Sequence, residues 1–347
     1  MDRVDELVRE LLAFRENITI DASGVGSDII NQALSRDHRV SYYVENISGS
    51  IQGGWSPKAV FRVTYHNKEV PPADIHIASG EDEVVMLMCR CIGDYKRRFA
   101  IFVPPSLSCQ RAVDRFQEAH GAFYPNYMSS NVTMFSNSSR YVAMDFTIKY
   151  RIGKVMLGMM ENEVDREVDR LAAQLFLPGM PEEAKAYLAH NYLAYSITYT
   201  NNESAGNLER SYLQSAYGAL IRHKCVCQGY AEAFKRLMDV AGVRCDVVVG
   251  TTDSAGHDNH AWNIIRLHGD RCCYHVDPTW DSPGGGVVNF NYFGLSDSAL
   301  ASSRNWNRSY NVRCNPAPDA IAIARNYLRM KQAALVARGV PRAVIGL

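Results

Sequence analysis

Residues 225–283 read CVCQGYAEAFKRLMDVAGVRCDVVVGTTDSAGHDNHAWNIIRLHGDRCCYHVDPTWDSP. Within this run Tyr230, Ala233, Phe234, Leu237, Met238 and Ala241 recur at the three-and-four spacing of one helix face, and Gly242 follows as a stop. The spacing predicts a helix over 229–242, with Cys227 just ahead of its first turn. There, unpaired backbone N–H groups and the positive end of the helix dipole favour a thiolate over a thiol. The same N–H groups are suited to hold the negative oxygen of a tetrahedral intermediate, and Gly229 reads as room for a substrate. Residues 245–250 read as a buried strand and 251–259 as a polar loop. Two more strands, 261–267 and 272–276, flank a hairpin connection with Gly269 at its tip. Pairing Leu267 with Cys272 and running the ladder onward sets His260 opposite Thr279. Asp277 is then a diagonal neighbour of His260 on the same face of the sheet.

In chain order, Cys227, His260 and Asp277 supply a thiol nucleophile, a base to deprotonate it and a carboxylate to orient that base. Each residue taken alone has a plainer reading. A free cysteine is usually a small buried hydrophobe, a strand histidine is usually just hydrogen-bonded, and an aspartate before Pro278 initiates a turn. The order and placement of the three together favour a site. Trp262 and Trp280 read as packing on either side of the hairpin. A metal reading of Cys225 with Cys227, His257 with His260 and Cys272 with Cys273 fits poorly, because structural zinc draws cysteine pairs two to four residues apart from tight knuckles. No metal and no cofactor is expected, and His257 reads as a loop histidine.

The run Cys227-Gln228-Gly229-Tyr230-Ala231, then His260-Ala261-Trp262-Asn263, then Asp277-Pro278-Thr279-Trp280-Asp281 resembles the transglutaminase-like superfamily, above all its bacterial members. The likeness covers roughly 192–297, and Tyr199, residues 216–220 and residues 292–297 are similar to that family as well. The resemblance implies an α+β fold with a papain-like core: a helix bearing the cysteine packed on an antiparallel sheet bearing His and Asp. Members include transglutaminases, peptidases and deglycosylating amidases. Their shared chemistry is attack on an amide carbonyl to give a thioester, which water or an amine resolves. Cys225 stands where the family usually has Gly, and Cys273 where it often has Trp, and neither departure removes a catalytic group. For the oxyanion the backbone N–H of Gln228 is the better expectation, Tyr199 is a second candidate, and Trp262 and Trp280 are expected to support the site. The loops 251–259 and 282–288 are polar and rich in glycine, which favours a wet, open cleft over an apolar tunnel. A peptidase or amidase is therefore expected ahead of a cross-linking enzyme. The rival from another class is a catalytically silent module that keeps the fold to bind a protein or glycan.

The chain has 347 residues, enough for two domains of ordinary size. Lysine plus arginine equal acidic residues at 37 each, so no polyanion such as a nucleic acid is an expected partner; no membrane partner is expected, and the resemblance implies a protein or peptide substrate. Nine scattered cysteines, an odd number, fit a reducing compartment rather than a disulfide scaffold. Residues 1–14 read as an amphipathic helix too charged for a signal peptide, and no apolar run reaches the ~18 residues of a membrane span. A cytoplasmic location is expected, with non-classical export leaving no readable trace. The N-terminal part, 1–155, reads as a mixed α/β domain of unknown role. It holds helices over 27–35, 81–91 and 110–121, and strands over 39–44, 59–65, 99–103, 132–135 and 141–150. The catalytic domain is expected over 156–347, entered through helices at 161–176 and 182–195.

Overall fold

The computed structural model describes residues 2–119, 124–135, 141–201, 204–253, 258–269, 271–284, 286–308, 312–315 and 319–346. The chain forms two units, Met1–Tyr150 and Arg151–Leu347. Both mix helix with sheet. In the first unit, helix Arg3–Leu12 starts on Asp2, whose carboxylate accepts from Val4 N at 3.1 Å. It packs Val4, Leu7 and Leu11 into a core with Ile18, Ile20 and Phe61 of a three-stranded antiparallel sheet ordered Asn17–Asp21, Lys58–Tyr65, Val44–Gln52. A second sheet of four strands is ordered Ile75–Ile77, Arg98–Val103, Val142–Tyr150, Tyr127–Phe135, and it packs against helices Glu81–Gly93 and Cys109–Ala119.

The strand expected over 39–44 is instead the helix His38–Tyr43. Asp37 caps it, accepting from Arg39 N at 2.9 Å, and Tyr42 and Tyr43 are wholly buried. Tertiary burial of two tyrosines outweighs the strand propensity of a Val/Tyr run. The helix expected over 161–176 begins earlier, as Lys154–Leu175, so a boundary after residue 155 would cut its first turn. The chain divides at Tyr150 instead.

In the second unit, Lys154–Leu175 and Glu182–Ser196 are followed by two short helices, Asn207–Leu213 and Ala216–Leu220, and then by the helix Cys227–Val240. The last of these packs Tyr230, Phe234 and Leu237 onto Ile265, Leu267 and Tyr274 of a five-stranded antiparallel sheet. The strand order is Phe293–Leu295, Cys272–Val276, Asn259–Leu267, Arg244–Thr252, Arg304–Trp306. Residues 260–265 of the central strand are all buried, because a second cluster of Trp262, Ile264, Val248 and Trp306 fills the opposite face. Burying a side chain such as Phe234 is worth about 2–3 kcal/mol, so the helix–sheet contact fixes the helix start firmly. Gly242, at φ +73°, ends the helix in the left-handed conformation. Among the described residues no helix is long and apolar enough to cross a membrane.

Candidate active site

Cys227 is the first residue of its helix, with Val226 as an extended N-cap. The chain enters from Lys224–Cys225, which pairs in parallel with Thr198–Tyr199, and Val226 N donates to Leu213 O at 3.0 Å. Cys225 is buried directly under this turn, while Cys227 is half-buried. Gly229 has a packing reason rather than a substrate one. A Cβ there would meet Cys225 Cβ at 2.6 Å and its Sγ at 2.9 Å. The cysteine that replaces the family's usual glycine at 225 therefore occupies the space that Gly229 leaves.

His260 lies near the start of the central strand, opposite Gly250, and is 6% exposed. Its ring stacks on the wholly buried Trp262 at 5.9 Å between centroids. The hairpin ladder pairs Leu267 with Cys272 as expected, but it ends at Asn263 opposite Val276 and never reaches Thr279. Instead Asp277 N donates to Tyr292 O at 2.9 Å, and the chain turns sharply, with Asp281 N on Asp277 O at 3.4 Å. Its two carboxylate oxygens take different partners. Oδ1 accepts from the turn's Thr279 N and Trp280 N at 3.2 and 3.4 Å. Oδ2 accepts from His260 Nε2 at 2.7 Å.

Nε2 is turned to Asp277, and the Cys227 side chain lies close enough to act on the imidazole. Burial alone would push His260 down, yet the Asp277 charge and hydrogen bond, followed by the Cys227 sulfur, outweigh it and raise the imidazole to about 9. For Asp277, burial acts upward, but His260 and then Arg304 hold the carboxyl below its usual value.

Arg304 carries no sequence signal. It comes from the far edge strand, is wholly buried, and its Nη2 donates to Asp277 Oδ2 at 3.2 Å. Trp280 is not core packing: it is 44% exposed, covers the Arg304 guanidinium at 4.1 Å and sits edge-on to His260 at 6.1 Å. Trp262 is core, as expected. The Gln228 side chain is committed to Glu232, donating to Oε1 at 3.0 Å, so among its donors the backbone N–H is the one at the helix start. Tyr199 is half exposed beside the thiols, and burial, then Cys227 and Cys225, push its phenol upward. His257 lies outside the described residues.

Behind the site, His275 Nε2, Asp297 and Cys314 offer ligand-type atoms within 4.8 Å of one another. The donor set suits zinc, but the tautomer does not. Trp262 Nε1–H donates to His275 Nδ1 at 3.0 Å, so a neutral imidazole carries its one proton on Nε2, where it bonds Asp297 at 3.0 Å. The trio is a hydrogen-bonded support for Trp262.

Residues 169–278 match the model of the Transglutaminase-like superfamily, a stretch that contains Cys227, His260 and Asp277. That part of the chain is a transglutaminase-like domain. The chain is 38% identical to the mouse (Mus musculus) Kyphoscoliosis peptidase over 76 residues, 19% of this chain and 11% of that protein. A solved structure described as a TGase is 12% identical, with 72% of this chain and 66% of the other covered at a TM-score of 0.30. A candidate cysteine protease from Cytophaga hutchinsonii is also 12% identical, with 46% and 65% covered at a TM-score of 0.28.

Proposed function

We propose that the second unit is a cysteine-dependent acyl-transfer enzyme acting on amide bonds of a protein or peptide, with Cys227 as nucleophile, His260 as general base and then acid, and Asp277 as orienter. The reading is carried by one observation: His260, which interacts with Cys227, is held by Asp277 through Nε2 at 2.7 Å. The raised proton affinity of His260 suits an imidazolium facing a thiolate. The sulfur attacks the carbonyl carbon, and the oxygen gains negative charge beside the helix-start N–H groups of Cys227 and Gln228. As the tetrahedral intermediate collapses, the C–N bond breaks and His260 gives its proton to the leaving amine. Water, deprotonated by the now neutral imidazole, then opens the thioester.

Hydrolysis is favoured over cross-linking by the polar loops beside the site and by the similarity of 76 residues to a protein named a peptidase. The test incubates the full chain with a glutamine-containing peptide library, with and without a fluorescent primary amine, and reads products by mass. Cleavage or deamidation that requires Cys227 is the expected result. Amine incorporation that outpaces it would make the enzyme a transamidase. No product and no thioester from a broad library would leave a binding module as the better account.

A further inference from the structure

Arg304 lies 27 positions beyond Asp277 and on the opposite edge of the sheet, paired with Thr252. The strands Asn259–Leu267 and Arg244–Thr252 stand between its own strand and the one that leads into Asp277. Even so, its guanidinium reaches the same Oδ2 that accepts from His260. A wholly buried cation costs several kcal/mol unless it is compensated. Here the compensation comes from the carboxylate, from Ser303 O at 3.0 Å, and from the faces of Trp280 at 4.1 Å and Tyr292 at 5.0 Å. A planar guanidinium fits between rings and a carboxylate in a way an ammonium does not.

We propose that Arg304 is a positioning residue for the Cys227–His260 pair: it holds Asp277 ionised and in place, and its charge sets how tightly His260 keeps its proton. The inference rests on the nucleophile–base reading above. Two cations share one carboxylate oxygen, so each weakens the hold of Asp277 on the other. Among the described residues, the titratable and charged groups around the imidazole are Cys227 and Asp277, with Arg304 behind Asp277; Tyr199, which also feels Asp258, and the buried Cys225 adjoin the thiol. Removing the Arg304 charge leaves Asp277 to the imidazole alone, which then binds its proton more tightly.

The experiment measures the rate of Cys227 alkylation by iodoacetamide from pH 5 to 10, by mass, in the full wild-type chain and in Arg304→Met, Arg304→Gln and Arg304→Lys, each checked for a cooperative melt. Wild type should show a change in rate as His260 loses its proton. In Arg304→Met that step should move upward by about half a pH unit or more. Arg304→Lys, which keeps a charge but not the planar contact, should fall between. If Arg304→Met does not fold, Arg304→Gln carries the same expectation with a near-isosteric neutral group. Folded neutral variants with an unshifted step would overturn the inference alone, as would a Lys variant shifted as far as the neutral ones. A wild-type Cys227 no more reactive than the other cysteines would overturn the nucleophile–base reading, and this inference with it.

Discussion

Asp277 and Asp281 stand four residues apart in one turn, and each holds a buried histidine. Asp277 takes His260 at 2.7 Å; Asp281 takes His190 of helix Glu182–Ser196 at 3.1 Å. Both carboxylates are essentially without exposure, and both also accept backbone N–H groups, from Thr279 and Trp280 in one case and from Asn291 and Tyr292 in the other. The difference lies in what else meets the ring. The half-buried Cys227 thiol adjoins the His260 ring, whereas His190 Nδ1 ends on Asn191 Oδ1 at 3.0 Å, and Asn191 in turn donates to Val344 O. His275 repeats the lesson, with its second nitrogen taken by Trp262. A histidine–aspartate pair is therefore not in itself a site. The other group at the ring decides whether it does chemistry or pins a turn to a helix.

The largest effect should come from treating the two aspartates alike. Asp277→Asn is expected to lower turnover about 10⁴-fold, since an amide no longer favours the productive tautomer, and to lower the melting temperature as well, since the buried Arg304 loses its carboxylate. Asp281→Ala should lose about 3–5 kcal/mol of stability by leaving His190 and two N–H groups without their partner, while the folded fraction keeps its turnover. Denaturant melts and kcat on the same preparations check both. If folded Asp277→Asn keeps its turnover, or Asp281→Ala silences the protein without unfolding it, the division between the pairs is wrong.

A smaller effect is the pH dependence of stability. His260 is raised above its ordinary value of 6.5 to about 9, so its contribution is fully present below about 6.5 and is lost as pH rises through about 9. Asp277 is lowered, so its contribution is present above the ordinary carboxyl value and is lost as pH falls through its folded value. The stability difference between wild type and His260→Gln should therefore be greatest near pH 5–6 and shrink by about 2–3 kcal/mol by pH 9.5. Urea melts across pH would show it, and a flat difference would mean that His260 carries no excess proton affinity in the fold.

Most of the second unit was legible because its signals are local. The face of Tyr230, Phe234 and Leu237 and the pairing of Leu267 with Cys272 follow from neighbours in sequence. The approach of His260 to Asp277 was legible too, although the register that suggested it stops three pairs short of Thr279. What sequence hid was everything set by distant chain. Arg304 reaches Asp277 from a three-residue edge strand whose place depends on pairing with Thr252. Trp280 looked like core until that arginine was found beneath it. Gly229 looked like a substrate feature, but its constraint is the Cys225 side chain, four residues back and folded under it. His38–Tyr43 misled for the same reason, since the burial that makes it helical belongs to another layer of its unit.

The smallest predicted effect sharpens the comparison at the level of the thiols, where Cys227 and Cys225 stand two residues apart as the aspartates stand four. All nine cysteines are free. Burial raises Cys225 well above an ordinary thiol, and it pushes Cys89, Cys91, Cys109, Cys245, Cys272 and Cys314 upward as well. Because the thiolate is the reacting species, these seven are suppressed at neutral pH, while Cys227 is half-buried at a helix start beside His260. Limiting iodoacetamide at pH 6.5, read by peptide mass, should label Cys227 at least about tenfold faster than any other cysteine, a preference of about 1.4 kcal/mol in barrier. His260→Gln should remove most of that preference, since the helix start alone remains, whereas His190→Gln should leave it intact in whatever protein stays folded. Equal labelling of Cys225 and Cys227 would mean that position two residues along one turn makes no chemical difference, and the proposed nucleophile would fall with it.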